Sequence, residues 1–147
     1  ETELANHADL RLRLGREAAD RALVVAAARL TRVVRDVDTV CRVSDTRFAV
    51  LVEGPLRHEQ LRLLAQHMVA KGLEPGSLLP GDTSLRFRLA TTLLPADRAT
   101  AAEEEESQES RRALDRLQRV LDEPGEDARR PVFHLPRETV PPTGDDA

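Results

Sequence analysis

Residues 41–55 read CRVSDTRFAVLVEGP, and the pairing of this stretch decides the fold. An alternating run of apolar and polar residues breaks at Ser44-Asp45-Thr46-Arg47 and resumes as Phe48-Ala49-Val50-Leu51-Val52. The β-branched content of Thr39 to Val43 and of Arg47 to Glu53 predicts two strands joined by a polar turn. Gly54-Pro55 closes the second strand. A turn this charged, between two strands that look buried, is either an ordinary surface hairpin or the remnant of a site.

Working outward, Ala19, Ala22, Leu23, Ala26, Ala27, Leu30, Val33 and Val34 repeat at helical spacing and predict an amphipathic helix over Ala18 to Arg35. A second stripe (Leu61, Leu64, Ala65, Met68, Val69) predicts a helix from Leu56 to Ala70, stopped by Lys71-Gly72. Residues 73–83 form a Gly/Pro loop. Ser84 to Leu94 alternates early, with Leu85, Phe87 and Leu89 against Arg86 and Arg88, and predicts a half-buried strand. The acidic run Glu103 to Glu106 is a solvated loop or a helix start. Ala113, Leu114, Leu117, Val120 and Leu121 predict a third helix over Ser110 to Leu121, and Pro131 to Leu135 a last short strand. The tail after residue 135 is polar and Pro-rich and is expected to be disordered. This order, a hairpin inserted between helices, predicts one α+β domain over residues 1–135: a mostly antiparallel sheet with helices packed on it.

The 147 residues suffice for one core. Aromatics are only 2% of the chain, with no Trp or Tyr, so that core is aliphatic. A net charge of -4 argues against non-specific nucleic-acid binding. Cys41 is the single cysteine, which excludes an internal disulfide and a cysteine-rich metal site, and its apolar surroundings predict a buried small hydrophobe. His7, His58, His67 and His134 lack metal-ligand spacing. No apolar run reaches the ~18 residues of a membrane span. The first residue is Glu1 rather than Met, which suggests a piece of a longer chain.

From about Gly15 to about His134 the residues resemble a GGDEF domain, the diguanylate cyclase module of bacterial cyclic di-GMP signalling. Gly15-Arg16-Glu17-Ala18-Ala19-Asp20-Arg21-Ala22-Leu23 is similar to the family's Gly-His-x-x-Gly-Asp-x-x-Leu at a helix start. Asp38 to Val43 resembles the strand leading into the signature turn, and Ser44-Asp45-Thr46-Arg47-Phe48 stands in the signature itself. Leu89 to Pro95 and Pro131 to His134 resemble the later strands. The resemblance implies a nucleotidyl-cyclase-like sandwich whose first strand lies mostly before Glu1 and is missing from this piece. Loss of a central strand would leave a bare edge that invites dimerisation.

The departures bear on function. The family holds GTP phosphates over two glycines and binds magnesium with acids. Here the glycines are replaced by Ser44 and Asp45, the metal-binding acid by Thr46, and the adjacent glutamate by Arg47. The Asn that reads guanine corresponds to Arg11. Asp20, the second guanine contact, is retained, and Glu3 falls near the family's other metal acid. No phosphate-binding lysine is evident near Gln118. The expectation is a catalytically inactive module with no cofactor. Taken alone, Asp20 suits a first-turn helix acid better than a nucleotide ligand.

The family also carries an inhibitory product site, Arg-x-x-Asp, five residues before the signature. Arg35-Asp36-Val37-Asp38 stands there, so Arg35 and Asp38 are the candidate cyclic di-GMP ligands, since an Arg fork suits guanine edges and phosphate. The same pattern recurs at Arg42/Asp45, Arg112/Asp115 and Arg119/Asp122, and Asp38 also suits a plain helix-to-strand turn. The resemblance implies action through a homodimer or a partner signalling protein, in the cytoplasm, at the output end of a longer and in some architectures membrane-anchored receptor. The rivals are a residual cyclase using Asp20 and Glu3, and a purely structural module.

Overall fold

Strand β1 (Thr2–Leu4) is followed by helices α1 (His7–Leu14) and α2 (Arg16–Val33), the hairpin β2 (Thr39–Arg42) and β3 (Arg47–Leu51), helix α3 (His58–Leu73), strand β4 (Phe87–Thr91), helix α4 (Glu103–Asp122) and strand β5 (Val132–His134). The structure, a computed structural model, describes residues 1–76, 78–81, 83–94, 103–123 and 129–136, with only the backbone of 103–107. The expected order of helix, hairpin, helix, strand, helix and strand is all present. The tail expected to be disordered, 136–147, lies outside the described residues except for Pro136.

The sheet has five strands in the order β2-β3-β1-β4-β5. Every neighbouring pair is antiparallel except β4 with β5. The strand expected mostly ahead of Glu1 is represented by the three residues of β1, at the centre of the sheet. Thr2 faces Phe48 on one side and Leu89 on the other, so β3 and β4 both find a partner and no bare edge opens between them.

Strand side chains alternate between faces. Leu4, Phe48, Phe87 and Leu89 point into the main core with Ala22, Ala26 and Leu30 of α2 and Ala65 and Met68 of α3. Burying a Leu such as Leu30 contributes roughly 1.5–3 kcal/mol. The opposite face carries a smaller core of Ala90 with Leu117 and Leu121 of α4. The alternation that buries Leu4, Phe48 and Phe87 therefore turns Glu3, Arg47 and Arg88 toward the α4 face.

The ends of α2 and α3 differ from the periodicity by two or three residues, and α4 starts seven residues earlier than expected. α3 starts later because Gln60 Oε1 accepts from the Arg57 backbone N–H at 2.9 Å, which fixes the first turn. It runs on through Gly72, where the carbonyls of Lys71 and Gly72 accept from Arg29 Nη1 at 3.0 and 2.8 Å. That contact satisfies helix-end carbonyls from a neighbouring helix. A Cβ at Gly72 would lie 2.6 Å from Phe87 Cδ2 and 2.7 Å from Leu85 O, so the close approach of α3 to β4 requires glycine there. α4 begins at Glu103, so the acidic run enters a helix N-terminus, where negative charge is favourable.

Three expectations are corrected. Helix α1 was not expected, because its sequence gives no apolar stripe: Leu10 is its one buried residue, while Leu12 is exposed. Cys41 is exposed rather than buried. The cause is position, since β2 lies at the sheet edge with most of its residues exposed, and alternation alone cannot tell an edge strand from an inner one. The hairpin as a whole is less buried than it looks in sequence: β2 lies at the edge, and in the inner strand β3 Phe48 is the one fully buried residue.

Candidate functional site

The turn between β2 and β3 is built without a left-handed residue: among the described residues, positive φ occurs at glycines alone. Ser44 and Asp45 are exposed and Thr46 is half-buried. The N–H groups of Val43 and Ser44 both donate to Arg47 O, at 3.0 and 3.3 Å. The Arg42 guanidinium folds over the turn, donating to Ser44 O at 3.0 Å and Asp45 O at 2.8 Å. Thr46 O accepts from Leu4 N at 2.8 Å, which ties the turn to the end of β1.

Beneath this turn lies a charged network on the α4 face. Arg47 pairs directly across strands with Glu3, and Glu3 in turn pairs with Arg88. Arg47 Nη2 is 3.5 Å from Glu3 Oε1, Arg47 Nη1 is 3.8 Å from Glu1 Oε1 and 2.7 Å from Asp122 Oδ1 at the end of α4, and Arg88 Nη1 is 3.6 Å from Glu3 Oε2. The Glu1 side chain is fully enclosed and neither of its oxygens makes a hydrogen bond. Burial pushes its carboxyl above the usual carboxylate range, and the charges of the N-terminal ammonium and then of Arg47 oppose that shift. Arg88 also stacks over Phe133, with its guanidinium carbon 5.6 Å from the ring centre.

Asp20 is exposed on α2 and lines an open groove of about 520 Å³ between α2 and the hairpin. Leu23, Val24 and Ala27 form its helix side, and Val40, Arg42 and Phe48 its strand side. Arg35 and Asp38 sit between α2 and β2 and hold each other. Asp38 Oδ2 accepts from Arg35 N at 2.8 Å and Arg35 Nε at 3.3 Å. Asp38 Oδ1 accepts from Arg35 Nη2 at 3.1 Å and from Glu53 N at 2.9 Å. The Asp38 side chain is 2% exposed, whereas that of Arg35 is 61% exposed. Burial by itself would raise the Asp38 pKa, but the hydrogen bonds from Arg35 and Glu53 outweigh it and hold the carboxyl below its usual value.

The structure thus brings Glu3 together with Arg47 and leaves Asp20 and the Arg35–Asp38 pair as separate clusters. Sequence reasoning missed Glu1, Arg88 and Asp122 as members of the network and Arg42 as the brace of the turn. The one available signal was Glu3, singled out in the sequence, which the cross-strand register sets directly opposite Arg47. A divalent cation does not suit this donor set: Thr46 offers a hydroxyl, Arg47 is itself a cation, and its guanidinium stands against Glu3. Among the described residues no group of three or more His, Cys, Asp or Glu could hold a metal ion.

The family model for the diguanylate cyclase GGDEF domain matches residues 3–119. Among solved structures, an EAL/GGDEF domain protein from M. capsulatus is similar over 90% of this chain and 80% of its own, with a TM-score of 0.62 and 21% identity. The GGDEF domain of the Pseudomonas aeruginosa protein called YfiN or TpbB is similar over 59% of this chain and 53% of its own, with a TM-score of 0.52 and 24% identity. At these identities the structures speak for the fold. A search of curated proteins gave no match. The family model spans most of the chain, with the hairpin and β4 inside the matched segment, and the chain belongs to the GGDEF domain family, described as diguanylate cyclase.

Proposed function

We propose that this chain is a catalytically inactive GGDEF module that works in cyclic di-GMP signalling through contact with a second copy or a partner protein. The observation that carries the proposal is Arg47. At the position where the family has a glutamate, this chain has a cation, and that cation is paired with Glu3, the residue nearest the family's other metal acid. GTP turnover in this family needs acids that gather magnesium on the phosphates, and Thr46 and Arg47 offer a hydroxyl and a positive charge. Arg42 adds to the argument, because its guanidinium covers the turn carbonyls. The proposed setting is the cytoplasmic output end of a longer receptor. Among the described residues no helix is long and apolar enough to cross a membrane.

The test is incubation of the protein with GTP and magnesium or manganese, with chromatographic detection of cyclic di-GMP. No product is expected, and any sustained turnover overturns the proposal in favour of a residual cyclase using Asp20 and Glu3. Cyclic di-GMP at Arg35 and Asp38 is the ligand form of the same proposal. The exposed Arg35 guanidinium favours it, while the enclosed Asp38 carboxylate is already committed to Arg35 and Glu53. Calorimetry on wild type and Arg35→Ala separates the two forms: binding heat lost in the variant supports the ligand form, and no heat in either leaves the interaction form.

A further inference from the structure

The family's divalent cation has no place among these residues, yet the carboxylates around the turn still need a counter-charge. We infer that Arg47 is the resident cation of the degenerate site: its guanidinium takes over the electrostatic role of a divalent metal, and the turn is neutralised from within and indifferent to metal. The inference rests on the reading of Thr46 and Arg47 as the lost metal position.

The geometry carries it. Arg47 opens β3 directly opposite Glu3, so the register of the sheet brings cation to carboxylate without any loop rearrangement. Its two terminal nitrogens lie within 4 Å of Glu1, Glu3 and Asp122, which come from β1 and its flank and from the far end of α4. Arg88 approaches Glu3 from the other side, making a positive–negative–positive row across β3, β1 and β4. The Arg47 side chain is 14% exposed and Glu1 is fully enclosed, so the charges meet where water screens them poorly. A guanidinium suits this place, because its planar fork serves several carboxylates at once and it sheds water more easily than an ammonium. A metal ion entering here would have to displace that fork and face Arg88 as well. Removal of Arg47 would leave Glu1, Glu3 and Asp122 facing one another with Arg88 as the remaining cation beside Glu3.

The experiment is thermal unfolding of the chain with and without millimolar manganese or magnesium chloride, for wild type, Arg47→Ala, Arg47→Gln and Arg47→Lys. Wild type is expected to melt at the same temperature with and without metal. Arg47→Ala and Arg47→Gln are expected to melt lower by about 5 °C or more, with or without metal. Arg47→Lys, which keeps a cation, is expected to retain most of the wild-type melting temperature. If Arg47→Ala fails to fold, Arg47→Gln against Arg47→Lys gives the same readout. Metal stabilisation of the wild type, or a lysine variant that melts as low as the glutamine variant, overturns the inference. GTP turnover is followed in the same wild-type samples. Manganese stabilisation without turnover removes this inference alone, whereas turnover removes the proposed inactivity.

Discussion

Two turns of this molecule are built from the same pair of residue types and work in opposite ways. At Arg35–Asp38 the arginine and the carboxylate are three residues apart, and the turn is closed by its own residues and Glu53. At Ser44–Arg47 the arginine reaches carboxylates that are remote in sequence, on β1 and at the end of α4. The first turn is a local clamp that fixes where β2 begins. The second is a junction that ties the hairpin, the central strand and the last helix together. An arginine near an aspartate in sequence therefore says little about function until the partners of each are known. In the local clamp the carboxylate is consumed by the backbone, and in the junction the cation is consumed by distant acids.

The comparison breaks hardest at Arg47. Arg47→Glu would place a fourth carboxylate against Glu1, Glu3 and Asp122 in a poorly solvated place. Removing one partner of a buried ion pair typically costs 3–5 kcal/mol, and reversing its charge adds repulsion. We expect a loss of about 3–5 kcal/mol in urea denaturation. If the midpoint hardly moves, the junction is a surface feature and the contrast between the two turns collapses.

The next effect belongs to the clamp. Asp38→Ala would leave the Arg35 and Glu53 N–H groups without their acceptor, at an expected cost of about 1–3 kcal/mol by the same measurement. The pH dependence has a definite sign. The folded carboxyl titrates below its ordinary value of about 4, because hydrogen bonds favour its charged form despite burial. Its stabilisation is fully present above that ordinary value and is lost as pH falls through the depressed folded value. Asp38→Asn should therefore flatten the acid limb of the stability profile, read as urea midpoints between about pH 5 and 2. An unchanged acid limb would show that the clamp carries no ionic stabilisation.

These two turns also mark how far the sequence could be read. The hairpin, the stripes of α2, α3 and α4 and the strand at Phe87–Thr91 were legible because alternation and helical spacing are local signals. So was the place of the turn between β2 and β3, since its residues are contiguous. The partners of Arg47 were not legible, because Glu1 and Asp122 meet it only after β1 is inserted between β3 and β4 and α4 packs on that face. β1 itself is too short to show a period, and α1 buries little beyond Leu10. Exposure of Cys41 depends on strand order, which no local pattern contains.

The smallest effect is the most discriminating within the junction. Asp122 makes the shortest contact to Arg47, 2.7 Å, yet its side chain is 62% exposed. Exposed ion pairs contribute about 0–1 kcal/mol, because water already solvates the free carboxylate and salt screens the pair. Glu3 is less close, at 3.5 Å, but only 19% exposed, so its charge has fewer alternatives to Arg47 and Arg88. Asp122→Asn should therefore cost about 0.5 kcal/mol, and that cost should fade as sodium chloride is raised, whereas Glu3→Gln should cost more and keep most of its effect in salt. A reversed order, with Asp122 the larger and salt-resistant term, would mean that α4 rather than the sheet register holds Arg47 in place. Burial rather than distance is thus what ranks the partners of this arginine, and the pair of variants puts that ranking to measurement.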